Sequence, residues 1–384
     1  MSKEEVMGIF REVTKGPFNS YLEKQIADGG KIIGYHCNMI SGEIFTAAGL
    51  LPYRIRGAGS TDTSLADVYL SNKLCTFVRH TVNLALDNKF DFLNGIVSMN
   101  SCDQIRRAHD TWKREIKNVS FAEFLSVPRI KIDGSHDWFK KELARLIGAI
   151  EEHFSVKITD QSLLEAIKLH NTLRRNLIKL NELRKGQNPP VTGSEALTIS
   201  IAAHVMPLND FNQLIEKLIN NLPKDEIKQN YRCRFVVTGG ELDEPEFIRV
   251  IEEQGGLVVY DDVCFGSFFY NNLVSEEGDP LDNLVDRYLN KSTCARMVNS
   301  FTTRNQHLRE IVSEYKADGI IMQRIKFCIT NGGYSHNVMH SSRIDGVPTL
   351  NLDREYLAGG SGQLKTRVQA FIESIESKSK RGAV

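Results

Sequence analysis

Residues 233–264 read CRFVVTGGELDEPEFIRVIEEQGGLVVYDDVC, and their pattern decides the fold. VVTGG is a short β-branched strand closed by a glycine turn, EPEFIRVIEEQGG carries apolar residues at helical spacing, and LVVYDDVC is a second apolar strand. Strand, helix and strand in such close succession point to a parallel sheet, because parallel strands need a crossover to join them.

The same cycle recurs on both sides. Downstream, HLREIVSEYKADGIIMQRIKFC (307–328) reads as helix then strand, and VPTLNLDREYLAGGSGQLKTRVQAFIESIE (347–376) as strand, glycine loop and helix. Upstream, KIIGYHCNMI (31–40) is a strand and SGEIFTAAGLLPYRIRG (41–57) a capped helix followed by a strand. Residues 65–89 are a helical stretch, FDFLNGIVSMNSC (90–102) is a strand ending in a polar loop, and FAEFLSVPRI (121–130) supplies another strand. From about residue 137 to 221 the text is helix-periodic without strands, broken by the turn GQNPPVTGS (186–194). The expected fold is α/β: two doubly wound (Rossmann-like) parallel-sheet domains joined by a helical connector, divided as 1–136, 137–229 and 230–384. The two halves look like cousins, although no repeat is exact. In open sheets of this kind ligands gather at the carboxyl ends of the strands.

At 384 residues the chain exceeds one domain of ordinary size, roughly 100–200 residues. Its 41% hydrophobic and 25% charged content is globular. Lys+Arg and Asp+Glu are both 48, and no basic run with interleaved aromatics exists, so nucleic acid is not an expected partner. The start, MSKEEVMGIFREVTKG, is charged where a signal peptide is apolar, and no window of about 18 apolar residues occurs, so a cytoplasmic protein without a membrane partner is expected. Seven cysteines in such a chain do not suggest a disulfide framework; each is either a small buried hydrophobe or a chemical group.

Cys75, Cys102, Cys264 and Cys328 stand at or near element ends. Cys102 closes a strand and precedes the helix DQIRRAHDTWKRE, whose dipole favours a thiolate, and Cys328 closes GIIMQRIKF. There is no C-x-x-C, so a metal site would be assembled from distant segments. Glu43 opens a helix two residues after Ser41, either as a first-turn acid favoured by the dipole or as a group of the cleft. His36 and Ser41 share that loop and are placed to hydrogen-bond a substrate or a proton donor. The glycine loops VTGGE (237–241) and AGGSGQ (358–363) offer weak anion sites, and the Walker pattern is absent, so ATP hydrolysis by this chain is not expected.

Four stretches carry a resemblance: GYHCNMISGEIFTAAGLLPYRI (34–55), SNKLCTFVRHTVNLALDNKFDFLNGIVSMNSCDQIRR (71–107), DGIIMQRIKFC (318–328) and GSGQLKTRVQAFIE (360–373). Almost end to end, the chain resembles the 2-hydroxyacyl-CoA dehydratase and ATP-dependent benzoyl-CoA reductase family. The resemblance implies one [4Fe–4S] cluster held by Cys75, Cys102 and Cys328, with one iron open to substrate, water or a sulfur ligand. It makes Cys37 a pocket-lining thiol, brings Cys264 near the cluster from the second domain, and leaves Cys233 and Cys294 as packing residues. Glu43, with His36 and Ser41, would serve proton transfer or fix an acyl-CoA thioester, and Arg79 and His80 would tune the cluster.

The implied partners are a homologous cluster-bearing subunit, in a heterodimer or homodimer, and an ATP-dependent activator iron–sulfur protein that donates electrons. The stretch EEGDPLDNLVDRYLNKS (276–292) resembles the smaller cluster-bearing subunit of benzoyl-CoA reductases, which favours a reductase. The alternatives are an (R)-2-hydroxyacyl-CoA dehydratase working through a ketyl radical, an electron-relay subunit, a family member reducing some other small molecule, and a metal-free scaffold. The loop YHCNMISG departs from the family in lacking the proline that often precedes its Glu.

Overall fold

The computed structural model describes residues 1–222, 230–291, 294–357 and 361–382. It contains two four-stranded sheets whose pairings are all parallel. The first holds β1 (Lys31–Tyr35), β2 (Leu50–Arg54), β3 (Gly95–Met99) and β4 (Phe121–Leu125), in the order β2-β1-β3-β4. The second holds β5 (Cys233–Gly239), β6 (Gly256–Asp262), β7 (Gly319–Ile325) and β8 (Thr349–Arg354), in the order β6-β5-β7-β8. The orders are equivalent, so in each sheet the order of winding reverses between the two central strands, β1 and β3 in the first and β5 and β7 in the second. Every residue of β3 and of β6 is buried, as expected of strands covered by helices on both faces.

Between the sheets in sequence lie the helices Ser135–Phe154, Asp160–Glu182, Gly193–Ala202 and Leu208–Asn220. Two buried ion pairs tie this region to both sheets. Arg174 reaches Glu43 at 2.5 Å, and Arg184 reaches Asp261 at 2.5 Å. A second pair of contacts joins the sheets directly: Arg54, at the end of β2, pairs with Glu241 at 3.0 Å, and Arg56 with Asp243 at 3.3 Å.

The stretch 65–89, expected to be helical, is helical over Thr76–Leu86 and contains only a short turn of 3₁₀ helix, Ala66–Val68, before it. The loop between them delivers Cys75 to the helix end. Two further helices, Lys3–Val13 and Ser20–Ala27, precede β1; the first is capped reciprocally by Ser2 and Glu5 and packs on the helices Gly193–Ala202 and Leu208–Asn220. Among the described residues no helix is long and apolar enough to cross a membrane.

Candidate active site between the two sheets

The carboxyl ends of the two sheets face one cavity of about 110 Å³, partly open to solvent. Six of the seven cysteines line it: Cys37, Cys75, Cys102, Cys264, Cys294 and Cys328. Cys233, at the amino end of β5, is buried elsewhere. The reversal points of the sheets explain the convergence. Cys37 follows β1, Cys102 follows β3, Cys264 follows β6 and Cys328 follows β7, all at strand ends where backbone groups and side chains face open space.

Cys75, Cys102 and Cys328 share a second feature. Each is the N-cap residue of a helix: Thr76–Leu86, Asp103–Glu115 and Ile329–Ile344 respectively. The unpaired amides and dipoles of three helices therefore bear on one region, an environment that favours negative charge. Burial pushes the Cys75 thiol well above its ordinary range, and the neighbouring thiols of Cys328 and Cys102 push it the same way. Burial raises Cys102 to about 11, the amide of Ile105 drawing it down and Cys328 adding to the rise. The raised pKa values of Cys75 and Cys102 favour the thiol, so a metal that binds these two must displace protons.

One side chain fastens the three cysteine loops together. Gln104, two residues past Cys102, accepts a hydrogen bond from the Cys75 N–H at 3.1 Å and donates one to the Phe327 carbonyl at 2.7 Å. Phe327 sits at φ 65°, in the left-handed region, so the turn into Cys328 is held in a conformation that a phenylalanine rarely adopts. Asn331, one helical turn later, donates to the Cys328 sulfur at 3.3 Å. The glycines of VTGGE make room for this arrangement. A Cβ at Gly239 would lie 2.1 Å from the Gln323 carbonyl oxygen, and one at Gly240 would lie 2.4 Å from the Asn331 amide nitrogen.

Polar groups on the cavity wall lack partners. Ser101 Oγ and Asn331 Oδ1 are buried and make no hydrogen bond, a situation that an occupant of the cavity would relieve. Among the described residues no three His, Cys, Asp or Glu side chains meet closely enough to hold a single ion. Thiols set around a rim are instead the arrangement required by a polynuclear cluster, whose ligands bind different irons. The donor set, three thiols on the wall of one cavity, fits that chemistry.

The other expected site residues lie away from this wall. Glu43 is fully buried in its own network, accepting from Arg174 at 2.5 Å, Ser41 at 2.8 Å and Tyr288 at 2.8 Å. Burial raises its carboxyl, but Arg174, His170 and Arg287 outweigh that and hold it well below the usual range. His36 bonds Ser98 at 3.0 Å, and burial lowers its pKa to about 3. None of His36, Ser41 and Glu43 lines the cavity. Arg79 pairs with Asp67, and His80 bonds Ser60 at 2.8 Å, and neither lines the cavity. Of the AGGSGQ loop, residues 358–360 lie outside the described residues.

Sequence reasoning missed Gln104, Cys294, Asn331, Arg54 and Asp262. Only Asp262, in the DDVC strand end, carried a signal that could have found it, an acid at a strand terminus.

The family model for the 2-hydroxyglutaryl-CoA dehydratase D-component matches residues 37–375. The (R)-phenyllactyl-CoA dehydratase beta subunit of Clostridium sporogenes is 24% identical over 95% of this chain and 97% of its own length. A benzoyl-CoA reductase subunit of Thauera aromatica is 28% identical over 79% of this chain and 80% of its own. The putative dehydratase subunit YjiM of Escherichia coli K12 is 28% identical over 90% and 92%. With most of its length matched, the chain belongs to the 2-hydroxyglutaryl-CoA dehydratase D-component family.

Proposed function

We propose that this chain is a cluster-bearing subunit of a radical-type acyl-CoA reductase or dehydratase, with Cys75, Cys102 and Cys328 as ligands of a [4Fe–4S] cluster. What carries the reading is the convergence of these three distant cysteines, each heading a helix, on one cavity between two sheets. The relatives supply the substrate class: two are CoA-thioester dehydratase or reductase subunits by name, and a protein named as one subunit implies a partner chain. Such a cluster, when bound, supplies low-potential one-electron chemistry, with an ATP-hydrolysing activator as the donor.

The chain's own residues do the rest. Gln104 holds the ligand loops in register, and Asn331 directs an N–H at the Cys328 sulfur, a contact of the kind that tunes a cluster's potential. A proton route leads from the cavity to a second, surface pocket. Tyr334 and Asp262 line the cavity, Thr238 Oγ1 lies 3.2 Å from the Tyr334 hydroxyl and donates to Asp262 at 3.1 Å, and His307, in the surface pocket, lies 3.8 Å from Asp262. Burial alone would lower His307; the Asp262 carboxylate outweighs it and raises the pKa. A histidine so placed can deliver protons inward.

Of the two chemistries the reductase is the first reading, on the likeness of residues 276–292 to the smaller benzoyl-CoA reductase subunit. The test is anaerobic co-expression with candidate partner and activator chains, followed by parallel assays with benzoyl-CoA and with (R)-2-hydroxyacyl-CoA thioesters. Consumption of benzoyl-CoA with ATP supports the reductase, and formation of an enoyl-CoA supports the dehydratase. Inactivity toward both, in a preparation whose cluster is reduced by the activator, would remove acyl-CoA as the substrate class.

A further inference from the structure

Three cysteines of the cavity have no part in the reading above, and they form a set of their own. Cys37 lies in the loop after β1, Cys264 in the loop after β6, and Cys294 beyond the helix Pro280–Leu289. They adjoin one another: Cys37 bears electrostatically on Cys294, and both bear on Cys264. Cys37 also bears on Cys102, so this set borders the first. Its loops are fastened as deliberately as those of the first set. The Asn38 amide donates to the Cys264 carbonyl and accepts from Arg54, the Cys264 N–H bonds the Gly240 carbonyl at 3.2 Å, and Arg304 bonds the Cys294 carbonyl at 3.0 Å.

A second observation is independent of the thiols. A cation beside them, Arg296, lines the cavity, is 6% exposed and has no carboxylate partner among the described residues. Arg296 donates to the carbonyls of Val127, Pro128 and Asn100, to the Asn100 side chain and to the Met297 sulfur. A buried cation without a counter-ion is strongly unfavourable, and its natural complement is an anion in the adjoining cavity. Thiolates bound to iron and sulfide are such an anion.

We propose that Cys37, Cys264 and Cys294 are ligands of a second iron–sulfur unit, seated beside the first in the same cavity. The proposal deepens the function above and rests on its assignment of the first three cysteines. Two adjacent units let the chain store two reducing equivalents delivered one at a time. That capacity suits a two-electron reduction of a small substrate held between them.

The experiment is iron and acid-labile sulfide analysis on the full-length chain purified without oxygen. It compares wild type with Cys264→Ser, Cys294→Ser, Cys102→Ser and, as a control outside the cavity, Cys233→Ser. Circular dichroism establishes that each variant is folded, and Cys37→Ser replaces any of the second-set variants that is not. The wild type is expected to carry about eight irons, twice the content of one [4Fe–4S] cluster, and second-set variants about half of that. Cys233→Ser should match the wild type. About four irons in the wild type, lost on Cys102→Ser but kept by the second-set variants, would overturn the second unit while leaving the first intact. An iron-free wild type would overturn both.

Discussion

Replacing Gln104 by leucine removes the one side chain that bonds to both neighbouring cysteine loops, and its cost can be worked from two contacts. The Cys75 N–H and the Phe327 carbonyl each lose a partner, at 3.1 Å and 2.7 Å, in a place where Gln104 itself is 4% exposed. A buried polar group left without its partner costs about 1–3 kcal/mol, so Gln104→Leu, which strands two, should destabilise by roughly 2–6 kcal/mol. Leucine restores some apolar packing against Ile105 and Phe77 on the cavity wall, which places the expectation in the lower half of that range. Gln104→Glu should fall between, because it keeps the acceptor for Cys75 and loses the donor to Phe327. The assay is urea unfolding of anaerobic protein alongside the rate at which a chelator removes iron. If Gln104 positions the ligands, iron release should accelerate more than tenfold in Gln104→Leu, with glutamate partly restoring the wild-type rate. Unfolding and iron release indistinguishable from wild type in both variants would refute the positioning role.

Three further outcomes are expected. Glu43→Gln leaves the buried Arg174 without its anion and should cost about 3–5 kcal/mol in urea unfolding, with Arg174→Met in the same chain recovering part of it; an unchanged midpoint with a large fall in turnover would instead assign Glu43 to catalysis. His36, His170 and His204 are buried and neutral, with pKa values pushed by burial to about 3, to about 4 and well below the ordinary value. An unfolded chain takes these protons near pH 6.5 and the folded chain does not, so stability is full above that pH and should fall as pH drops toward 4, by up to roughly 1.4 kcal/mol per unit for each histidine; a flat profile of unfolding midpoint from pH 7 to 5 would contradict this. His307→Ala should slow turnover and shift the alkaline limb of its pH profile, since Asp262 keeps the native imidazole charged to higher pH, and an identical profile would remove the histidine from the proton route.

Much of this architecture was readable because parallel strands buried on both faces leave continuous apolar runs. β3 and β6 announced themselves that way, and the cysteines at their ends followed from the position of the strand termini. The rest depended on which strand ends face each other, which no local spacing encodes. Cys294 follows a helix with no strand beside it, so nothing in its own segment distinguishes it from a packing residue, yet the facing of the two sheets brings it to the cavity. Gln104 reads as an ordinary helix residue until Phe327, 223 positions away, arrives opposite it. Glu43 shows the reverse case. Its motif suggested a group of the cleft, and the fold supplies Arg174, 131 residues on, as its buried partner. The helix Lys3–Val13 did carry a local signal, Ser2 and Glu5 in capping-box spacing, that marks its start.

The most direct test of the central claim is the iron and sulfide content of anaerobically purified chain with serine placed at Cys75, Cys102 or Cys328, set against Cys233→Ser. The account predicts a brown wild type and control, and loss of about four irons on serine at any one of the three helix-capping cysteines. A folded wild type without iron, or an iron content left unchanged by serine at each of the three positions, would contradict it.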